Sequence, residues 1–186
     1  MNFIVKKTPL KDALIIIPKI YKDKRGFFME TYNEAVFRKI LGIKAKFIQD
    51  NHSKSKYGVL RGLHFQKPPY EQAKLVRCIK GKILDVIVDI RKNSPTYGKY
   101  YSVVLSSKNK KMLYIPRGFA HGFLVLSKEA EVIYKVDNKY APQYESGIIW
   151  NDPYLNIPWP IREPILSEKD KKWKTIKDLE KRGDKN

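Results

Sequence analysis

KLVRCIKGKILDVIVDIRKNSPTYGKYYSVVLS, residues 74–106, decides the class of the fold. It holds apolar, β-branched runs of strand length: KLVRCIK (74–80), KILDVIVDIR (82–91) and YYSVVLS (100–106). Gly81-Lys82 between the first two reads as a tight hairpin. KNSPTYGK (92–99) reads as a turn between the next two. The same pattern continues on both sides. ALIIIP (13–18), FFMETY (27–32), KFIQDN (46–51) and VLRGLHF (59–65) precede the stretch. KMLYIP (111–116), HGFLVLS (121–127) and EVIYKVDNKY (131–140) follow it. So many short strands, divided by turn residues, predict an all-β antiparallel barrel or sandwich, with a jelly roll among the leading forms.

Two segments break the pattern. NEAVFRKIL (33–41) predicts a short helix with Asn33 as its N-cap. SEKDKKWKTIKDLEKR (167–182) begins with Ser167 three residues before Asp170, as a capping box does, and spaces Trp173, Ile176 and Leu179 as a helix face. The tail from Lys171 to Asn186 is expected to be a solvated helix or a frayed end. No internal repeat or low-complexity linker interrupts residues 1–186, and the composition does not change before about residue 167, so one domain is expected.

At 42% hydrophobic and 12% aromatic residues, the chain is not of the disordered class. No run approaches the ~18 apolar residues of a membrane span. MNFIVKKTPLKD lacks the apolar core of a secretory signal. The one cysteine, Cys78, excludes an intrachain disulfide framework and a cysteine-rich zinc site. The expected location is the cytoplasm. A net charge of +19 draws anions. The basic residues are scattered, however, and the densest run (168–186) is laced with Glu168, Asp170, Asp178, Glu180 and Asp184. That scatter fits a lysine-rich solvated surface, and a small anionic ligand such as a nucleotide, better than a nucleic acid, which wants basic residues clustered on one face.

The polar residues that do not suit a core are the functional signal. In GVLRGLHFQ (58–66), Arg61 and His64 stand among Val59, Leu60, Leu63 and Phe65. An ideal strand would send them to opposite faces. A bulge at Gly62 would bring them to one side. IPRGFAHGFLVLS (115–127) sets His121 among apolar residues in the same way. Lys74 heads one apolar strand and Tyr134 sits in another. Gln49 and Asn51 share strand parity, and Arg25 and Glu30 flank two phenylalanines. Buried without partners, such groups would cost several kcal/mol each. Together they describe a ligand cavity inside a barrel.

The chain has three histidines, His52, His64 and His121, and no HxH pair. A bound transition metal is therefore not expected, though two His plus a carboxylate stay open from sequence. A His, a Lys and a Tyr serve one chemistry without any cofactor. A proton beside a ketone needs a base near neutral pKa, which imidazole supplies. The enolate needs a cation. A phenol on the opposite face returns the proton and inverts the centre.

The sequence resembles the dTDP-4-dehydrorhamnose 3,5-epimerase family. The resemblance rests on DKRGFFMET, FIQDNHSKSKYGVLRGLHFQ, KLVRCIKGKILDVIVDIRKNSPTYGK, IPRGFAHGFLVLS, YKVDNKYAPQYESGIIWNDP and ILSEKD, in the family's order. It implies a cupin-type jelly roll, commonly a homodimer, that uses no metal or organic cofactor. It implies His64 as the base, Asp170 as its orienting carboxylate, Lys74 near the C4 oxygen, Tyr134 as the opposing acid and His121 in the sugar pocket. For the nucleotide end it implies Arg25, Phe28, Glu30, Gln49, Asn51, Arg61, Tyr140 and Lys169. The implied reaction converts dTDP-4-dehydro-6-deoxy-D-glucose to dTDP-4-dehydro-L-rhamnose. The alternatives are an epimerase inverting only C3 or only C5, or a nucleotide-sugar-binding cupin without turnover.

Overall fold

Strand-length apolar runs have to bury one face each, and here they do so by forming two antiparallel sheets packed face to face. The computed structural model describes residues 2–41 and 45–183. In chain order its elements are β1 (Phe3–Lys7), β2 (Leu14–Pro18), β3 (Tyr21–Asp23), β4 (Gly26–Phe28), α1 (Glu34–Leu41), β5 (Gln49–Lys56), β6 (Leu60–Gln66), β7 (Lys74–Lys80), β8 (Lys82–Asp89), β9 (Tyr100–Ser106), β10 (Met112–Ile115), β11 (Phe119–Val125), β12 (Glu129–Val136), β13 (Glu145–Gly147) and α2 (Ile176–Gly183). One sheet has the order β1-β2-β10-β7-β12-β5 and the other β13-β6-β11-β8-β9, while β3 and β4 pair as a separate hairpin. This is an all-β jelly roll of cupin type with short peripheral helices.

Three apolar layers follow from the period-2 alternation. Between the sheets, Ile15, Val76, Leu113 and Val132 of the first meet Ile83, Ile87, Leu105, Phe119 and Phe123 of the second. On the outer side of the first sheet, α1 sets Phe37 against Phe3, Ile16, Leu75 and Met112. On the outer side of the second, Leu155, Ile157 and Ile176 from the C-terminal segment cover Leu63, Val86, Val88 and Ala120. Buried Asp152 ties that segment down, accepting hydrogen bonds from the backbone of Tyr154, Leu155 and Ile176.

Most expected elements form close to their expected positions. Asn33 caps α1 through its side-chain oxygen, 3.3 Å from the Val36 amide. KNSPTYGK joins the paired strands β8 and β9, as read from the sequence. FFMETY contributes only its first residues, to β4.

Two expectations need correction. Gly81-Lys82 does not close a hairpin, because β7 and β8 lie in different sheets. Gly81 is a corner, with φ +75° and no room for a Cβ, which would stand 2.1 Å from the Glu129 carbonyl oxygen. The C-terminal helix does not start at Ser167. A single 3-10 turn spans Asp170–Lys172, and the chain is extended at Trp173. The helix α2 then begins after Thr175, whose hydroxyl accepts from the Asp178 amide. Trp173, Ile176 and Leu179 pack inward rather than standing in solvent, because the outer face of the second sheet needs a cover. Residues 184–186 of the expected tail lie outside the described residues.

Candidate functional site

The site is built from inward-facing residues at one end of the space between the sheets. The irregularity at Gly62 creates it. Across the β6–β11 ladder, His64 pairs His121 and Arg61 pairs Phe123, so three steps on β6 face two on β11. This bulge turns Arg61 and His64 to the same side, the possibility that Gly62 in GVLRGLHFQ opened. Gly62 has φ +122°, and a Cβ there would lie 2.6 Å from the Gly122 Cα. Two glycines let the strands approach where the histidines sit.

His64 is held by a residue more than a hundred positions away. Its Nε2 lies 2.5 Å from Asp170 Oδ1. The second carboxylate oxygen accepts from the Gly62 amide at 3.4 Å, and the Asp170 amide donates to Ser167 Oγ at 3.1 Å. Burial pushes the Asp170 carboxyl up, but the bonds from His64, Trp173 and Ser167 outweigh it and hold the group below the ordinary carboxylate range. An ionised Asp170 accepts the Nε2 proton, which leaves Nδ1 as the imidazole nitrogen with the lone pair.

His121 has its own carboxylate. Its Nε2 lies 3.0 Å from Asp85 Oδ1, with both residues buried. Burial pushes the His121 pKa down, against the raising effect of Asp85, so the ring is neutral at pH 7. Lys74 and His64 add to that lowering, which sets all four groups in one electrostatic neighbourhood.

Lys74 and Tyr134 face these histidines from the other sheet. Tyr134 packs on the inter-sheet core, and the Lys74 ammonium lies 5.9 Å from its ring centroid. Burial lowers the Lys74 pKa to about 8, while Asp85 and Glu145 oppose the shift. Burial raises the Tyr134 pKa, so the phenol keeps its proton at neutral pH. Asn51 is the ladder partner of Tyr134 and Gln49 that of Val136, which puts both amides on the inner face. Gln49 donates to Asn51 at 2.9 Å. Arg61 reaches Ser55 Oγ at 3.0 Å on the same face, and its charge acts on Tyr134. These polar groups stand beside Tyr134 on the inner face.

Glu145, at the start of β13, joins two further expected residues. Lys169 donates to one of its oxygens at 2.7 Å and Tyr140 to the other at 2.8 Å. Burial pushes Glu145 up, but these bonds and nearby His64 leave its pKa below the usual range. Neither Glu145 nor Asp85 was singled out from sequence. Asp85 carried a usable signal, since it interrupts the inward row Ile83, Asp85, Ile87 as His121 interrupts its own strand. Glu145 sits in a loop-like stretch with no periodic context.

Arg25, Phe28 and Glu30 are not brought to this cavity. They belong to the β3–β4 hairpin and the residues after it, on the outer side of the six-stranded sheet. Arg25 pairs with Asp23, and Glu30 accepts from Asn2 and Asn33. Phe28 is 69% exposed. Among the described residues, no three His, Cys, Asp or Glu side chains form a group able to hold a metal ion.

A family model described as dTDP-4-dehydrorhamnose 3,5-epimerase matches residues 7–178. The chain belongs to the dTDP-4-dehydrorhamnose 3,5-epimerase family. The Shigella flexneri dTDP-4-dehydrorhamnose 3,5-epimerase is 57% identical over 91% of this chain and 93% of its own length. The crystal structure of the Elizabethkingia anophelis dTDP-4-dehydrorhamnose 3,5-epimerase is 51% identical, covers 96% of this chain and 98% of its own, and superposes with a TM-score of 0.92. A dTDP-6-deoxy-D-glucose-3,5-epimerase from Legionella pneumophila Philadelphia 1, in complex with dTDP-4-keto-L-rhamnose, is 45% identical with a TM-score of 0.91, covering 94% and 93% of the two chains. For this epimerase-family chain, then, the resemblance read from the motifs and the family found by comparison coincide.

Proposed function

We propose that the chain, acting as one domain, epimerises dTDP-4-dehydro-6-deoxy-D-glucose at C3 and C5, giving dTDP-4-dehydro-L-rhamnose. The observation that carries this reading is His64, on one sheet and bonded to Asp170 of the C-terminal segment, set across from Tyr134 and Lys74 on the other sheet. The C4 ketone acidifies the hydrogens on both neighbouring carbons. His64 Nδ1 takes one as a proton, and the imidazolium is balanced by Asp170. The electron pair moves onto the C4 oxygen, where the Lys74 ammonium offsets the negative charge. Tyr134 donates its proton to the opposite face of the carbon. Solvent then reprotonates the tyrosinate and takes the proton from His64, and the cycle repeats at the second carbon. The direct test is turnover of the purified protein on this keto-sugar, with the product identified by NMR. An unchanged substrate would overturn the reading.

His121 fits the wall of the sugar pocket, held neutral beside Asp85. Arg61, Gln49, Asn51, Tyr140 and Lys169 suit the nucleotide end. A guanidinium and an ammonium meet a pyrophosphate through charge-assisted bonds, and the phenol ring offers the thymine a flat face.

Arg25, Phe28 and Glu30 fit that end only if they come from a second copy. This supports a homodimer in which the hairpin of one chain reaches the cavity of the other. The exposed rings of Tyr21, Phe27 and Phe28 are the kind of surface such an interface covers. Sedimentation should give twice the mass of the chain. Mixing Arg25→Ala with His64→Ala protein should restore activity, because a mixed dimer rebuilds one intact site. A mixture as inactive as its parts would refute the sharing. The reading also puts the enzyme in the cytoplasm, where the lone, buried thiol of Cys78 stays reduced.

A pH dependence follows from Lys74. Its charged form is the one that steadies the enolate, so activity should be present below pH 8 and decline as the pH rises through about 8. Glu145→Gln removes one of the two carboxylates that hold this proton. The alkaline limb of the kcat profile should then move to lower pH, by roughly half a unit for an interaction under 1 kcal/mol. A limb that stays in place would mean that another group sets it.

A further inference from the structure

We propose that Trp173 is a positioning residue for the His64–Asp170 pair, its indole N–H clamping the carboxylate oxygen that His64 uses. The inference rests on the proposed role of that pair. Trp173 Nε1 donates to Asp170 Oδ1 at 3.0 Å, the same oxygen that stands 2.5 Å from His64 Nε2. The two rings meet edge to face, with centroids 6.0 Å apart. Asp170 therefore has donors on both oxygens, from His64 and Trp173 on one and from the Gly62 amide on the other. A carboxylate so held does not rotate away when His64 gains and loses its proton.

The backbone makes room for this contact. Gly147 is the ladder partner of His64 on β13, and the indole lies directly over it. A Cβ at residue 147 would come within 2.6 Å of indole carbons and 2.7 Å of Nε1. On its far side the indole borders a cleft of about 520 Å³, lined also by Phe65, Ile90, Lys172 and Leu179. The N–H bond and the fit of the ring over Gly147 together keep the indole turned toward Asp170. The side-chain bond of Trp173 goes to Asp170, so its effect runs through that carboxylate.

Trp173→Phe keeps an aromatic ring and removes the donor. We expect kcat to fall about tenfold, the size of a lost bond to a charged group, with KM within about twofold of the parent. The acid limb of the kcat profile should move to higher pH, because Asp170 loses a bond that favours its ionised form. Gly147→Ala displaces the indole while leaving both partners in the chain, and should lower kcat similarly. The double variant should be little worse than either one, as expected for one shared contact. A readout on the unmutated enzyme is the indole ¹⁵N–¹H resonance of Trp173, which should shift with pH as Asp170 titrates. Trp173→Phe with the parental kcat and pH profile, or an indole resonance indifferent to pH, would overturn the inference. An active His64→Ala protein would instead overturn the role of the pair itself.

Discussion

His64→Ala should lower kcat by about 10³-fold, within the range that positioned acid–base groups supply. It should also stop exchange of the C3 and C5 hydrogens with solvent. Both effects follow from one geometry. The only basic nitrogen the proposal aims at the sugar is His64 Nδ1, and its basicity depends on Nε2 being committed to Asp170. The other inward imidazole, His121, is the weaker base, because burial disfavours the charged ring it would have to become, even beside Asp85. Folding should survive, since His64 is partly exposed and its removal leaves Asp170 with the Gly62, Ser167 and Trp173 bonds. The measurements are steady-state turnover and deuterium incorporation on the same preparation. Undiminished exchange in His64→Ala would remove this histidine from the mechanism.

Tyr134→Phe should separate two events that the parent enzyme joins. The base, the ketone and Lys74 remain, so deuterium should still enter the sugar at a rate within several-fold of the parent. Formation of inverted product should fall about 100-fold, because no acid remains on the opposite face. The raised pKa of the phenol matters here, since it keeps the donor protonated between turnovers. Equal loss of exchange and product would show instead that Tyr134 supports the enolate or the binding of the sugar. An alkaline limb that stays near pH 8 in Tyr134→Phe shows that the charge on Lys74 is undisturbed.

The strands were legible because each buries one face, and period-2 alternation records that burial directly. The bulge was legible for the same reason. Arg61 and His64 break the alternation on either side of a glycine, where an extra residue in β6 was one way to reconcile them, and the register shift is that extra residue. What alternation does not record is which sheet a strand joins. Gly81 looks the same whether the chain turns back on itself or passes from one sheet to the other, and here it passes.

The C-terminal segment misled for a different reason. Trp173, Ile176 and Leu179 have helical spacing, yet Trp173 is held extended by its contacts with Asp170 and Gly147. Tertiary contacts of that kind outweigh a weak local preference. His64 and Asp170 meet across the molecule, and nothing local in either stretch predicts it. Their pairing came from the resemblance alone, and the geometry agrees with it. Arg25, Phe28 and Glu30 show the opposite limit. Their motif is as clear as the others, but a single chain holds them on the far face of a sheet.

The central claim is that base, enolate-stabilising cation and opposing acid act in turn on both carbons beside the ketone. Incubation with dTDP-4-dehydro-6-deoxy-D-glucose in D₂O, followed by proton NMR of the sugar, tests it most directly. The account predicts dTDP-4-dehydro-L-rhamnose carrying deuterium at both C3 and C5. Deuterium at one carbon alone, or at neither while the sugar stays bound, would contradict it.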